Sequence, residues 1–306
     1  MTVPHTLRLS VPTPELARVF AGEPDLEVAV WDLTGPPPWS RIDVAVVPYL
    51  TGPSILEALR GIDIALVQSQ SIGYDGVAAH LPPGLVYANA ASVHEAATAE
   101  LAVGLIIAAE RGIDDAVRDA IEHRWHRTWR RGLADRRVLL VGYGGVGRAI
   151  ARRLDPFEVS LRVVASRARE EDGRAVLGRR DLPRELTSAE IVVLAVPLTD
   201  ATTRLVDDDF LAAIPDGGLL VNVARGAVAD TAALVRATPR LRLALDVVDP
   251  EPLPPEHPLW DRPGVLLTPH VGGATDAMAP RMAALVREQV ARLRRGDAPR
   301  NVVLRG

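Results

Sequence analysis

VLLVGYGGVG, residues 138–147, is the stretch on which the fold turns. An apolar run of strand length leads into glycines at 142, 144 and 147, and RAIARRL follows with helical character. Each glycine in such a strand–turn–helix has its own task. Gly142 allows the tight turn, Gly144 lets the backbone approach a pyrophosphate, and Gly147 lets helix and strand pack closely. The helix N-terminus then faces the phosphate charge. Gly145 and Val146 complete the turn. The spacing predicts a dinucleotide site, although a plain strand–helix joint would share the bare glycine pattern.

The next strand bears on which dinucleotide is bound. A site for NAD usually has an Asp or Glu about 20 residues past the glycines to bind the ribose 2′-OH. Here LRVVAS is followed by Arg167, 20 positions after Gly147, and no carboxylate occupies the place. Ser166, Arg167 and Arg169 stand there instead. A guanidinium binds a phosphate through paired hydrogen bonds, so NADP is expected as the preferred cofactor over NAD. The alternative is a surface Arg167 that stacks on adenine without discriminating.

Working outward, RVLLVG, LRVVAS, IVVLAVP, GLLVNVA, LRLALDVV and VLLTPH form one series of strands, each followed by a turn or helix. Upstream, LEVAVWDL, IDVAVVPYL and IDIALVQSQ form another, with SILEALR as a short helical segment and Pro/Gly-rich joints between. Strand–helix alternation predicts parallel sheets covered by helices. SVHEAATAELAVGLIIAAER reads as a long helix with Ser92 as N-cap and Glu95 completing a capping box. A polar stretch bearing Trp125 and Trp129 follows. A final helix, Ala277 to Arg295, carries Met282, Leu285, Val286, Val290 and Leu293 on one face. The expected architecture is α/β: two Rossmann-like doubly wound parallel-sheet domains with a cleft between them. Residues 1–91 with 276–306 would form a discontinuous substrate-binding domain, and residues 92–275 the dinucleotide-binding domain.

Composition narrows the chemistry. The 306 residues contain no Cys, which excludes disulfides, thiolate nucleophiles and Cys-based zinc sites. All 35 basic residues are Arg, so Schiff-base catalysis and a lysine-bearing phosphate loop are excluded as well. The histidines show no metal-binding spacing, and His5, His80, His94, His123, His126 and His257 read as structural or surface residues. A net charge of −4 favours neither nucleic acid nor an anionic membrane as partner. No signal peptide is visible, and the longest apolar run, Leu101 to Ala109, falls far short of the ~20 residues of a membrane span. A soluble cytoplasmic protein is the expectation.

Three strand ends in the C-terminal half carry polar residues: VNVARGAVAD with Arg225, ALDVVDPEPLP with Asp246 and Glu251, and LLTPHVGGAT with His270. Ligands collect at the carboxyl ends of strands in open α/β sheets, so these segments are candidates for one site. Reduction of a 2-oxo acid needs such a set. A cation holds the carboxylate and polarises the carbonyl. An acid protonates the oxygen as hydride arrives, and a histidine with an ordinary pKa of ~6.5 suits that task. A nearby carboxylate would stabilise the imidazolium and orient the ring.

The ordered series GYGGVG, VPLTDATTRLVD, VNVARG, DVVDPEPLP and TPHVGGAT resembles the D-isomer-specific 2-hydroxyacid dehydrogenases over nearly the whole chain, in particular the glyoxylate/hydroxypyruvate reductases. The resemblance implies a hydride-transferring oxidoreductase acting between NAD(P)H and a small 2-oxo or D-2-hydroxy acid. It implies that Arg225 binds the substrate carboxylate and carbonyl, that Glu251 hydrogen-bonds the histidine, and that His270 is the general acid/base and touches substrate. Asp246 would fix the nicotinamide carboxamide. Val196, Pro197 and Thr203 would line the adenosine and pyrophosphate side, with Ala224 and Gly272 also at the cofactor. Ser71, Ile72 and Gly73 would hold the carboxylate through backbone N–H groups. A homodimer is implied, in which Trp125 or Trp129 would reach the neighbouring subunit's pocket or simply pack in the interface. Each residue has a plainer reading: a surface ion pair for Arg225, a solvated carboxylate for Glu251, a core histidine for His270, a cap or structural pair for Asp246, a mere turn for 71–73. The plainer reading of the whole chain is a nicotinamide-sensing, corepressor-like binding protein of the same fold; a third is a same-fold enzyme acting on phosphite. Formate oxidation is disfavoured, since formate-specific members carry Gln where Glu251 stands.

Overall fold

A computed structural model describes residues 6–306; residues 1–5, His5 among them, lie outside the described part. The chain divides into two compact units, one running to His94 and resuming at Asp276–Gly306, the other spanning Glu95–Thr275.

The first unit opens with β1 (Leu7–Val11), α1 (Pro14–Val19), β2 (Leu26–Val30), β3 (Arg41–Val46), β4 (Asp63–Gln68), α2 (Val77–His80) and β5 (Val86–Ala88). Thr13 caps α1 by accepting from the Leu16 N–H, with Pro14 at the first helical position. The second unit begins with α3 (Glu95–Arg111) and α4 (Ile113–Ile121). It continues through β6 (Arg137–Val141), α5 (Gly145–Leu154), β7 (Ser160–Val164), β8 (Arg169–Glu171), β9 (Arg174–Leu177), α6 (Leu182–Leu186) and β10 (Ile191–Leu194). It closes with α7 (Asp208–Ala213), β11 (Leu219–Asn222), α8 (Thr231–Ala237), β12 (Arg242–Leu245) and β13 (Val265–Leu267). The chain then returns to the first unit with α9 (Met278–Arg294) and β14 (Val302–Arg305).

In the first unit the strand order is β14-β5-β4-β3-β1-β2, parallel except for the antiparallel β14–β5 pair. In the second it is β13-β12-β11-β10-β6-β7-β9-β8, parallel except for the β8–β9 hairpin. That second order is a doubly wound sheet, and β6 sits where the winding reverses. Side chains alternate along each strand, so both faces are apolar. Leu139, Val192, Leu220 and Leu243 enter the core on one side. Val138, Leu140, Val193 and Val221 enter the core on the other, beneath α3 and α5.

Several elements depart from the sequence reading. The long helix begins at Glu95, and Ser92 has φ +82°, so Ser92 is a turn residue rather than an N-cap, which requires extended backbone. An unexpected helix, α4, starts after the left-handed Gly112 and runs into the Trp-bearing stretch of residues 118–137, which was read only as polar. β1, the β8–β9 hairpin and β14 are further strands that were not expected. SILEALR forms a 3-10 turn within Pro53–Leu59.

Candidate active site

Gly142 ends β6 at the reversal of the sheet with φ +107°, and a Cβ there would overlap the Ala195 carbonyl at the end of the adjacent β10. A Cβ on Gly147 would collide with the Gly142 carbonyl, so helix and turn close only around bare glycines. At Gly144 a Cβ would meet no atom within 4 Å. The crowding thus falls at the first and third glycines, and the space at the second, where a pyrophosphate would approach. The residues present therefore fit a dinucleotide. Gly145 is the first residue of α5, and Val146 follows it in the first turn.

Around that turn, Val196 is half-buried and Pro197 exposed, and the Pro197 carbonyl accepts from Thr202 Oγ1 at 2.6 Å. Thr203 Oγ1 donates to the Thr199 carbonyl at 2.8 Å, so this hydroxyl braces its own loop. Ala224 is buried in the core, which leaves its backbone as the part able to face a ligand. Ser166 and Arg167 are exposed at the end of β7, and the Arg167 side chain makes no hydrogen bond or ion pair with the described residues. Arg169 by contrast donates to Glu171 at 2.6 Å and to the Tyr143 carbonyl at 3.1 Å.

Arg225, Glu251 and His270 come from the loops after β11, β12 and β13, neighbouring strands of one parallel sheet. Gly226 lets the first two approach, since a Cβ there would overlap the Val248 carbonyl. Glu251 Oε2 lies 2.7 Å from His270 Nδ1, while Glu251 Oε1 accepts the Val248 N–H at 3.1 Å. With the carboxylate on Nδ1, the Nδ1–H tautomer is favoured and Nε2 is the nitrogen left for proton transfer.

The ring stands on an uncommon backbone: His270 has φ +53°. Such a conformation costs roughly 1–3 kcal/mol and persists only where the surroundings enforce it. Asp246 enforces it. Its carbonyl accepts the His270 N–H at 2.8 Å. Its side chain accepts Thr268 Oγ1 at 2.6 Å and the Val271 and Gly272 N–H groups at 2.9 Å each. Asp246 is 3% exposed, so these bonds are shielded from water. Gly272 is itself buried, against Asp246 and Thr98.

The electrostatics follow from the geometry. The hydrogen bond to Glu251 raises the His270 pKa above its usual 6.5, against partial burial and the Arg225 charge, with Glu251 and Asp246 charges adding to the rise. Burial works to raise the Glu251 pKa, but the His270 hydrogen bond and charge, the Val248 N–H and the Arg225 charge outweigh it and hold the pKa low. Arg225 is half-buried, donates from Nη1 to the Ala224 carbonyl at 2.6 Å, and influences both partners of the pair.

In the other unit, the Ser71 N–H is taken by Ser69 Oγ at 2.9 Å and the Ser71 carbonyl by the Ala90 N–H at 2.9 Å. Asn89 Nδ2 holds the Ile72 carbonyl at 2.7 Å. The N–H groups of Ile72 and Gly73 donate to none of the described residues. The amide donors expected of this loop thus narrow to Ile72 and Gly73. Trp125 and Trp129 are 94% and 103% exposed.

A paired histidine and glutamate with an arginine at adjacent strand ends, beside a dinucleotide turn, restrict the family. The D-isomer specific 2-hydroxyacid dehydrogenase NAD binding domain profile matches residues 103–272. The chain belongs to that family. It is 32% identical over 304 residues to the glyoxylate reductase of Pyrococcus furiosus, covering 92% of this chain and 90% of that one. It is 28% identical to the human glyoxylate reductase/hydroxypyruvate reductase, with 89% of each covered. A D-isomer specific 2-hydroxyacid dehydrogenase from Xanthobacter autotrophicus, solved with NADPH and MES, superposes with a TM-score of 0.82 at 26% identity over 98% of both chains. The NADPH-dependent glyoxylate/hydroxypyruvate reductase of Sinorhizobium meliloti, solved with NADP and malonate, gives a TM-score of 0.78 at 28% identity over 97% of both. The protein is therefore an NAD(P)-dependent oxidoreductase that moves a hydride between the cofactor and a 2-oxo or D-2-hydroxy acid.

Gly226 and the β8–β9 hairpin escaped the sequence reading. Asp172–Gly173, with φ +54° and +70°, is the dipeptide of a tight hairpin turn and could have revealed the second. Gly226 carries no local signal, because the carbonyl it makes room for lies 22 residues away in Val248.

Proposed function

We propose that this protein reduces glyoxylate or hydroxypyruvate to the corresponding 2-hydroxy acid, with NADPH preferred over NADH. The observation that carries the reading is the 2.7 Å pair of His270 and Glu251, both of which feel the charge of Arg225. Support for the substrate comes from the glyoxylate reductases that the chain resembles along most of its length. Support for NADPH comes from the uncommitted Arg167 where a 2′-hydroxyl reader would need a carboxylate, and from the NADP(H) found with the similar structures.

In this reading, the Gly142–Gly147 turn carries the pyrophosphate, with Val196, Pro197, Thr203 and the Ala224 and Gly272 backbone along the cofactor. Ser166 and Arg167 meet the 2′-phosphate. Asp246 would serve the nicotinamide end of the site by holding the histidine loop rather than by acting itself. The bound cofactor supplies the hydride to C2 of the 2-oxo acid. Arg225 binds the substrate carboxylate and draws electron density from the carbonyl. His270 Nε2 gives its proton to the carbonyl oxygen, and the ring leaves the step neutral. Glu251 keeps the ring charged beforehand and fixed in orientation throughout. In the oxidative direction neutral His270 takes the hydroxyl proton.

The working form we propose is a cytoplasmic homodimer. Every residue of α4 escapes burial, and Ile113, Val117 and Ile121 form an exposed apolar stripe leading to Trp125 and Trp129, as a covered face would require. Among the described residues no helix is long and apolar enough to cross a membrane. The deciding experiment is a steady-state panel of glyoxylate, hydroxypyruvate, pyruvate and phenylpyruvate against NADPH and NADH. Turnover highest with the first two and NADPH is expected; oxidation of neither cofactor with any of the four would overturn the proposal.

A further inference from the structure

Two arginines follow β7, and the structure treats them differently. Arg167 projects from an exposed turn with its guanidinium uncommitted among the described residues. Arg169 is committed three ways. It donates to the Tyr143 carbonyl at 3.1 Å, to the Arg167 carbonyl at 3.3 Å and to Glu171 Oε2 at 2.6 Å. Tyr143 lies between the first two glycines of the turn and is 5% exposed, so its carbonyl is a fixed anchor. Glu171 is anchored in turn, because its other oxygen accepts from Arg148 in the first turn of α5 at 2.6 Å. Arg169 thus ties the strand-end segment to the glycine turn, and the β8–β9 hairpin braces the tie.

We propose that Arg169, braced by Glu171, is a positioning residue for 2′-phosphate recognition: it fixes the backbone from which Arg167 reaches the phosphate, and does not read the phosphate itself. This rests on the NADP(H) preference proposed above. Both Glu171 oxygens are occupied by guanidinium groups, so Glu171 is not a substitute reader of a ribose 2′-hydroxyl.

The test is calorimetric binding of adenosine 2′,5′-bisphosphate and of 5′-AMP to the wild-type protein, Arg167→Gln, Arg169→Gln, Glu171→Gln and the Arg167→Gln/Arg169→Gln double variant. Loss of a charge-assisted pair in Arg167→Gln should weaken the bisphosphate at least tenfold, to a Kd near that of 5′-AMP. Arg169→Gln should weaken it about fivefold, and Glu171→Gln less but in the same direction, with 5′-AMP affinity changed less than twofold. The double variant should match Arg167→Gln alone, since a residue that acts through another adds nothing once that other is gone. Additive losses in the double variant would show that Arg169 contacts the phosphate and overturn the proposal. Unchanged discrimination in both Arg169→Gln and Glu171→Gln would also overturn it while leaving the NADP(H) preference intact. A wild-type protein that binds both nucleotides equally would remove that preference and the proposal with it.

Discussion

Replacing Glu251 by glutamine keeps the size of the side chain and an oxygen for the His270 Nδ1–H, but removes the charge. The two side chains are 38% and 35% exposed at a separation of 2.7 Å. Unit charges ~4 Å apart attract by ~4 kcal/mol at an effective dielectric of ~20 and by ~1 kcal/mol in water. With more than a third of each side chain wet, the pair lies toward the lower figure. Arg225 opposes the His270 shift, and Asp246, which the variant keeps, supports it. A loss of about 1 kcal/mol of imidazolium stabilisation is the expectation. His270 must be protonated to give its proton, so kcat/KM for reduction of a 2-oxo acid falls as pH rises through its pKa. In Glu251→Gln that fall should begin at lower pH, with about fivefold less activity on the alkaline side. The acid plateau should be largely preserved. The assay is the initial rate of NADPH oxidation with glyoxylate from pH 5 to 9. An unmoved limb, or a loss equal at every pH, would refute the claim that Glu251 acts by stabilising the imidazolium. Stability should follow the same linkage. The raised His270 pKa stabilises the fold fully below the usual 6.5, and this is lost as pH rises past the folded value. The lowered Glu251 pKa stabilises it above the usual 4.5, and this is lost as pH falls past the folded value.

His270→Ala should lower kcat by about 10²–10⁴ in steady-state reduction, with the unfolding midpoint little changed because the ring is only half-buried; near-normal turnover would remove the histidine from the mechanism. Asp246→Ala leaves a hydroxyl and two N–H groups of the 268–272 loop without their acceptor. At ~1–3 kcal/mol for each unsatisfied buried group, and with water relieving some of them, a loss of about 3 kcal/mol in denaturant unfolding is expected, together with a fall in kcat; unchanged values would show that the loop holds itself. Val117→Glu with Ile121→Glu places charge on side chains 56% and 74% exposed. Light scattering should then report a monomer in place of the dimer proposed for the parent chain, and a dimer that survives both changes would place the interface elsewhere.

Much of this molecule is written locally in its sequence. The glycine spacing at 142, 144 and 147 encodes a turn within six residues. The strands of the second unit announce themselves as apolar runs because both faces of a parallel sheet are buried. The final helix, expected over 277–295 and found at Met278–Arg294, shows its 3.6-residue period directly. Arg225, Glu251 and His270 could be named as candidates because each sits at the end of such a run. What tertiary structure decided is who meets whom. Asp246 grips a loop more than 20 residues away, Gly226 makes room for Val248, and Arg169 reaches back 26 residues to the Tyr143 carbonyl. Even the start of the long helix moved from Ser92 to Glu95. Periodicity and capping patterns record what a residue's near neighbours in sequence require. A hydrogen bond between loops on adjacent parallel strands depends on strand order and register, and those exist only once the sheet has assembled.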